Sequence, residues 1–287
     1  MPAEAVHAVH HGEAAAPAHG GIPELPNVIT VLSERWHGHP AIAWLHHWEN
    51  LVFSLLVAVF LSLIAWRYAR RPCTIPGGGQ NLLELLVEGI DNFVHGIIGP
   101  TWRAHTPFIG TLFLYIWIMN LSGLVPGMKS ATASLNTTIG LALAVFVYVQ
   151  WFRIRTLGLP AYLHHMAGSP NFDDLKAAPV WLKPIMLVIK LGVSALLFVL
   201  ELVGEVIKPA SLSLRLAFNV FAEDVLLAVL AGLGIAAGVA LHSPIGIPLQ
   251  LFVVPLVLIF STVQALVFCL LSSVYIALMV PHEAHQH

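Results

Sequence analysis

Between Leu191 and Leu241 the chain is apolar enough to enter a bilayer, yet it carries Glu201, Glu205, Lys208, Arg215, Glu223 and Asp224. An ionised Arg or Asp at the centre of a bilayer costs roughly 2.5 to 3.5 kcal/mol even on lenient insertion scales. Charges kept at that cost face one another, a water path or a reaction. The rest of the chain agrees that the solvent is lipid. Of 287 residues only 10% are charged and 57% are hydrophobic, with a mean hydropathy of +0.82, whereas soluble domains carry about 25% charged residues. The fold class is therefore an all-α polytopic membrane protein. A net charge of -2 without long basic runs leaves no footprint for nucleic acid. Cys73 and Cys269 share no metal-ligand spacing and differ in predicted depth, so neither a disulfide nor redox chemistry is expected.

Residues 1–47 form an expected external tail and interfacial segment rich in His, Ala and Pro. Its histidines lack a fixed ligand spacing, so solvation rather than metal binding is the expectation. Residues 48–281 then form one membrane domain, and 282–287 a short cytoplasmic tail. Leu51 to Trp66 is a first span, followed at once by Arg67, Arg70 and Arg71, which marks that end as cytoplasmic and places the N-terminus outside. After a break at Cys73–Gly79, Gln80 to Ile98 sets Leu83, Leu86, Ile90, Val94 and Ile97 against Glu84, Glu88 and Asp91, the pattern of an interfacial amphipathic helix. Pro107 to Pro126 and Leu135 to Phe152 are the second and third spans. Arg153, Arg155, Lys176 and Lys183 fall on the same side as Arg67, whereas Lys129 and Arg35 fall on the other. Pro184 to Leu241 and Leu249 to Val280 are apolar stretches longer than a perpendicular crossing of about 30 Å requires, so tilting or kinking at Pro209, Pro248 or Pro255 is expected.

On a helix turning about 100° per residue, with Arg215 at zero, Ser211 lies near -40°, Asn219 and Glu201 near +40°, and Lys208 near +20°. These make one polar stripe. Glu205 and Glu223 sit near +80° on its margin, and Asp224 near 180° faces elsewhere. An arginine stays protonated at any working pH, so it presents a fixed charge, whereas Glu and Asp can give and take protons. Gln264, in the next apolar stretch, offers hydrogen bonds to either. The plainer alternative is that Arg215 pairs with Glu205 or Glu223 to hold the fold.

Leu200-Glu201, then Lys208-Pro209-Ala-Ser211-Leu-Ser-Leu-Arg215-Leu and Asn219, resembles the arginine-bearing helix of the subunit a family of F-type ATP synthases. Ser261-Thr-Val-Gln264-Ala-Leu-Val-Phe268 and Ser273-Val-Tyr275 are similar to that family's last helix. Ile75-Pro76-Gly77 before Glu84, Asn120-Leu-Ser-Gly-Leu-Val-Pro126, and Leu135-Asn136-Thr-Thr follow the family in the same order. The resemblance implies about five transmembrane helices with the last two tilted against a rotating c-subunit ring, a subunit b stator stalk, surrounding membrane lipid, and a bacterial inner (plasma) membrane location with the C-terminus cytoplasmic. It implies a proton-translocating subunit that is not itself a catalyst and holds no cofactor. Arg215 matches the arginine that separates two half-channels. Gln264 and Asn219 match polar residues of the path, Asp224 a group in the outer half-channel, and Glu201 a glutamate toward the cytoplasm. Ser211 continues the Arg215 face. Three departures stand out. Phe218 takes a place where the family has a small residue, Glu223 adds a second acid beside Asp224, and Val257 stands where some members have a histidine. The role split between Glu223 and Asp224 stays open. The rival readings are a secondary transporter using the charged helix as its substrate site, which predicts internal pseudo-symmetry, and a membrane metal enzyme, which predicts a His-Glu-x-x-His helix. Neither pattern is present, and no Gly-rich phosphate loop occurs.

Overall fold

Because lipid offers no hydrogen bonds, a chain of this composition must satisfy its backbone within helices, and it does so almost throughout. The structure, a computed structural model, describes residues 27–36, 40–70, 77–168, 183–242 and 248–278. No strand occurs among them. The histidines before residue 27, Cys73 with Arg71 and Pro76, the loop carrying Lys176, and the C-terminal tail lie outside the described residues.

Two short helices, α1 (Val28–Arg35) and α2 (Pro40–His47), precede α3 (Glu49–Ala69), the first span. Then come α4 (Gly78–Ile98), α5 (Trp102–Ser122), α6 (Leu135–Leu157), the short α7 (Leu159–Met166), α8 (Lys183–Ala240) and α9 (Val254–Ala277). Five of them, α3, α5, α6, α8 and α9, are long and apolar enough to cross a membrane. Two boundaries differ from expectation for local reasons. Helix α5 begins five residues before Pro107 and runs through it, giving up the backbone bond that its missing N–H would have made. The charge-free stretch from Leu249 instead opens as a 3-10 turn, Leu249–Phe252, and α9 starts with Pro255 in its first turn.

The element that shapes the molecule is α8. Its 58 residues run unbroken through Pro209, about 87 Å at 1.5 Å per residue, against a hydrocarbon layer near 30 Å. Most of α8 therefore runs oblique to the layer or beyond it. Its middle packs on α6 and α9 around Val145, Val149, Leu212, Leu216, Val220, Ala265 and Phe268, a core that α4 and α5 close with Val94, Ile98, Ile109 and Ile116. A smaller core, Ile29, Phe53, Val57, Met119 and Ala131, joins α1 and α3 to the α5–α6 connection. Lipid tails are as apolar as these side chains, so such contacts hold the bundle by close packing rather than by escape from water. The connectivity gives the bundle two ends. Arg67, Arg153 and Tyr275 mark the arginine end, and the α5–α6 connection with Glu49 and Lys129 marks the turn end.

Candidate functional site

Along the middle of α8, Leu212, Leu216, Ala217 and Val220 are buried in the core, while Ser211, Leu214, Arg215, Phe218 and Asn219 are exposed. The helical period thus gathers Ser211, Arg215 and Asn219 on one open face, the stripe expected from the sequence. Phe218 is 59% exposed and projects from that face, with Ala217 turned into the core. The bulky ring consequently does not disturb packing within the chain.

Arg215 makes no ion pair or hydrogen bond among the described residues. Both carboxylates that might have held it are engaged elsewhere. Glu223 Oε2 accepts from Ser261 Oγ at 2.8 Å. Glu205, 3% exposed, accepts from Gln150 Nε2 at 2.6 Å, Lys208 Nζ at 2.8 Å and Arg153 Nη1 at 3.5 Å. The alternative of Arg215 as a structural ion-pair partner of Glu205 or Glu223 is therefore not the arrangement in the fold.

One turn beyond Arg215, Asn219 Nδ2 donates to Gln264 Oε1 across the α8–α9 seam at 2.7 Å. Gln264 is 5% exposed and its Nε2 has no partner, leaving one buried donor at the edge of the open face. Asp224 points the other way, as its angle on the helix required. It lines a cleft of about 40 Å³ at the turn end with Gly123, Met128, Lys129, Ser130, Ala133, Phe221 and Val225. Glu201, partly exposed, lies fourteen residues before Arg215 toward the arginine end, roughly 21 Å along the axis. The fold thus brings Ser211, Arg215, Asn219 and Gln264 together, with Glu223 one turn on, but keeps Asp224 on another face and Glu201 at a distance. Val257 is simply buried in the α9 packing, 3% exposed.

Sequence reasoning missed a polar chain behind Glu223. Ser130 Oγ and Thr132 Oγ1 are 2.8 Å apart, Thr132 Oγ1 donates to Asn120 Oδ1 at 2.7 Å, and Asn120 Nδ2 reaches the Ser261 carbonyl at 3.4 Å. All four residues are buried. The available signal was Asn120 inside a charge-free span, where an amide needs partners. Also missed was the buried cluster at the arginine end, where Tyr162 Oη donates to Gln150 Oε1 at 3.1 Å and Arg153 lies over the Tyr162 ring at 4.9 Å. At the turn end, Lys129 Nζ pairs with Glu49 Oε1 at 2.7 Å. No group of three His, Cys, Asp or Glu side chains among the described residues is placed to hold a metal.

The family model described as ATP synthase A chain matches residues 51–277, which include every element from the first span to the last. The chain belongs to the ATP synthase A chain family. Among its relatives, the ATP synthase subunit a of Protochlamydia amoebophila is 41% identical over 94% of both chains. That of Moorella thermoacetica is 33% identical over 79% of this chain and 85% of its own, and that of Sulfurihydrogenibium sp. 30% identical over 83% and 99%. Family membership and the five long apolar helices make the chain a multi-pass membrane component of an ATP synthase, serving ATP synthesis and proton transport beside the other subunits of the membrane sector. The part of the family pattern that the geometry adds to is the charged helix: among the described residues the open face of α8 carries one unpaired guanidinium and packs against no other element.

Proposed function

We propose that the open face of α8 is the track on which the c-subunit ring turns, with Arg215 as the fixed charge that each ring carboxylate meets. The observation that carries this is the unpaired, exposed Arg215 between Ser211 and Asn219, in a helix whose neighbouring charges are engaged inside the chain. A guanidinium stabilises the ionised form of a carboxylate that reaches it, so each carrier must release its proton before passing. A proton enters at the turn end through the cleft at Asp224, and passes Glu223 and the Asn219–Gln264 pair to a ring carboxylate. After a circuit in lipid the carrier releases it toward Ser211 and Glu201 at the arginine end. The turn end faces outward and the arginine end faces the cytoplasm, which puts the N-terminus outside and the C-terminus inside. The excess of Arg and Lys at the latter end supports that orientation. The subunit moves ions and performs no bond chemistry itself; the b stalk holds it against the ring.

The test is Arg215→Ala in the assembled complex in sealed vesicles. The expected result is loss of ATP-driven acidification with the c-ring still copurifying in mild detergent. Retained pumping would overturn the reading, and so would absence of a ring of small subunits from the wild-type preparation.

A further inference from the structure

Arg215 is not the first cation on its stripe. Lys208 lies seven residues earlier, about 20° around the helix and roughly 10 Å along it. A bare ammonium there would give a ring carboxylate a second place to dwell, and would repel a proton leaving past Ser211. The structure disposes of it. Lys208 Nζ is 2.8 Å from Glu205 Oε1 and lies over the Tyr275 ring of α9 at 5.8 Å. Glu205 in turn is clamped from α6 by Gln150 Nε2 at 2.6 Å and by Arg153 Nη1 at 3.5 Å, and Arg153 and Glu205 are 2% and 3% exposed. Tyr162 of α7 braces Gln150, and Glu201 stands one turn away on α8 itself.

We propose that Glu205 is a positioning residue whose task is to neutralise Lys208 and turn it off the rotor face, so that Arg215 is the single fixed cation presented there. The proposal rests on the reading of Arg215 above. It accounts for why a buried carboxylate receives two cations on a helix whose functional cation receives no carboxylate of this chain among the described residues. Arg153 and Gln150 hold Glu205 in the core, and Lys208, whose side chain is 30% exposed, is the one that must be kept in place.

The experiment compares ATP-driven acidification by the complex carrying Glu205→Gln, Lys208→Gln, both changes, or Arg215→Ala, each normalised to the amount of chain that copurifies with the ring. Lys208→Gln pumps near the wild-type rate. Glu205→Gln falls about tenfold, the size expected for one unit charge some 10 Å away at an effective dielectric of about 20. The double variant returns to within about twofold of Lys208→Gln. A merely structural role for Glu205 predicts no such rescue, and its absence overturns the proposal. Should Glu205→Gln fail to assemble, Ser211→Lys against Ser211→Gln asks the same question with Glu205 intact. The lysine variant must pump about tenfold more slowly than the glutamine variant, and equal rates overturn the proposal. Arg215→Ala separates the two levels of failure: if it pumps, the reading of Arg215 is wrong, and if it is silent while rescue fails, only the neutralisation of Lys208 is wrong.

Discussion

On the proposed entry path past Asp224, a single methyl group at Gly123 should close the way. Gly123 caps α5 with φ -64 and ψ -21, a conformation open to any residue, so alanine there carries no backbone strain and even narrows the unfolded ensemble slightly. Its methyl, however, would stand 3.0 Å from Asp224 Oδ1 and 3.2 Å from Ser130 Cβ, inside a cleft of about 40 Å³. At 10 to 15 Å³ of such volume per water, the cleft has room for roughly three, and a methyl beside the carboxylate takes up part of that room. Hydrogen bonds to a charged group are worth about 1.5 to 3 kcal/mol, which corresponds to roughly 10- to 100-fold in rate. Alanine requires the Asp224 carboxylate to give by a few tenths of an ångström, so Gly123→Ala should fall near the lower figure, and the larger Gly123→Val should abolish flow. The assay is acidification by purified complex in liposomes, with the thermal midpoint measured alongside. Gly140→Ala is the control, since nothing lies within 4 Å of its added methyl. Wild-type pumping by a Gly123→Val complex of unchanged thermal stability would refute the entry path through this cleft.

Three other outcomes follow from single contacts. Asn219→Leu removes the 2.7 Å bond to Gln264 and leaves both ends of a buried amide unpaired, so the complex should lose about 1 to 3 kcal/mol of stability; an unchanged denaturation midpoint would show that the pair is not formed. Gly127 has φ +86, its carbonyl accepts from Val28 N at 2.9 Å, and an added methyl would meet Val28 Cγ2 at 2.8 Å. Gly127→Ala should therefore cost about 1 to 3 kcal/mol and release α1, seen as faster proteolysis within Val28–Arg35; wild-type cleavage rates would count against it. Burial pushes the Tyr162 phenol above its ordinary value, with the nearby Arg153 opposing. The folded form therefore holds this proton more tightly than the unfolded one, so stability from this group is intact below the ordinary value near 10 and is lost as pH rises through the raised one. Tyr162→Phe should flatten that alkaline decline, and an identical decline would place its cause elsewhere.

The helices of this protein were legible because a lipid solvent makes one rule dominate: apolar runs of sufficient length become helices. The 100° period alone sets Ser211, Arg215 and Asn219 on one face. Partners were less legible, because they depend on which helix lies against which. Arg153 reads in sequence as a basic residue closing a span, and nothing local shows that α8 brings Glu205 against it. Asn120, Thr132 and Ser261 are distant in sequence and meet only through the α5–α6 connection and the packing of α5 on α9.

Glu223 and Asp224 show how far the periodicity reaches when the packing is added. Adjacent residues on a helix differ by about 100° in direction, so two neighbouring acids on α8 cannot share one environment. Glu223 turns to α9 and takes the Ser261 hydroxyl, while Asp224 turns to the α5–α6 connection and lines the cleft at Gly123. Arg215, eight residues earlier than Glu223, faces neither and remains open. A single unbroken helix thus serves three surroundings at once: an open face, a packed seam and a cleft. All three lie on the same side of Pro209, so their directions relative to one another follow from the uninterrupted helix alone. On the proposed path the acid pair is two successive stations, and replacing Glu223 with Gln while keeping Asp224 should slow ATP-driven acidification by the complex in liposomes.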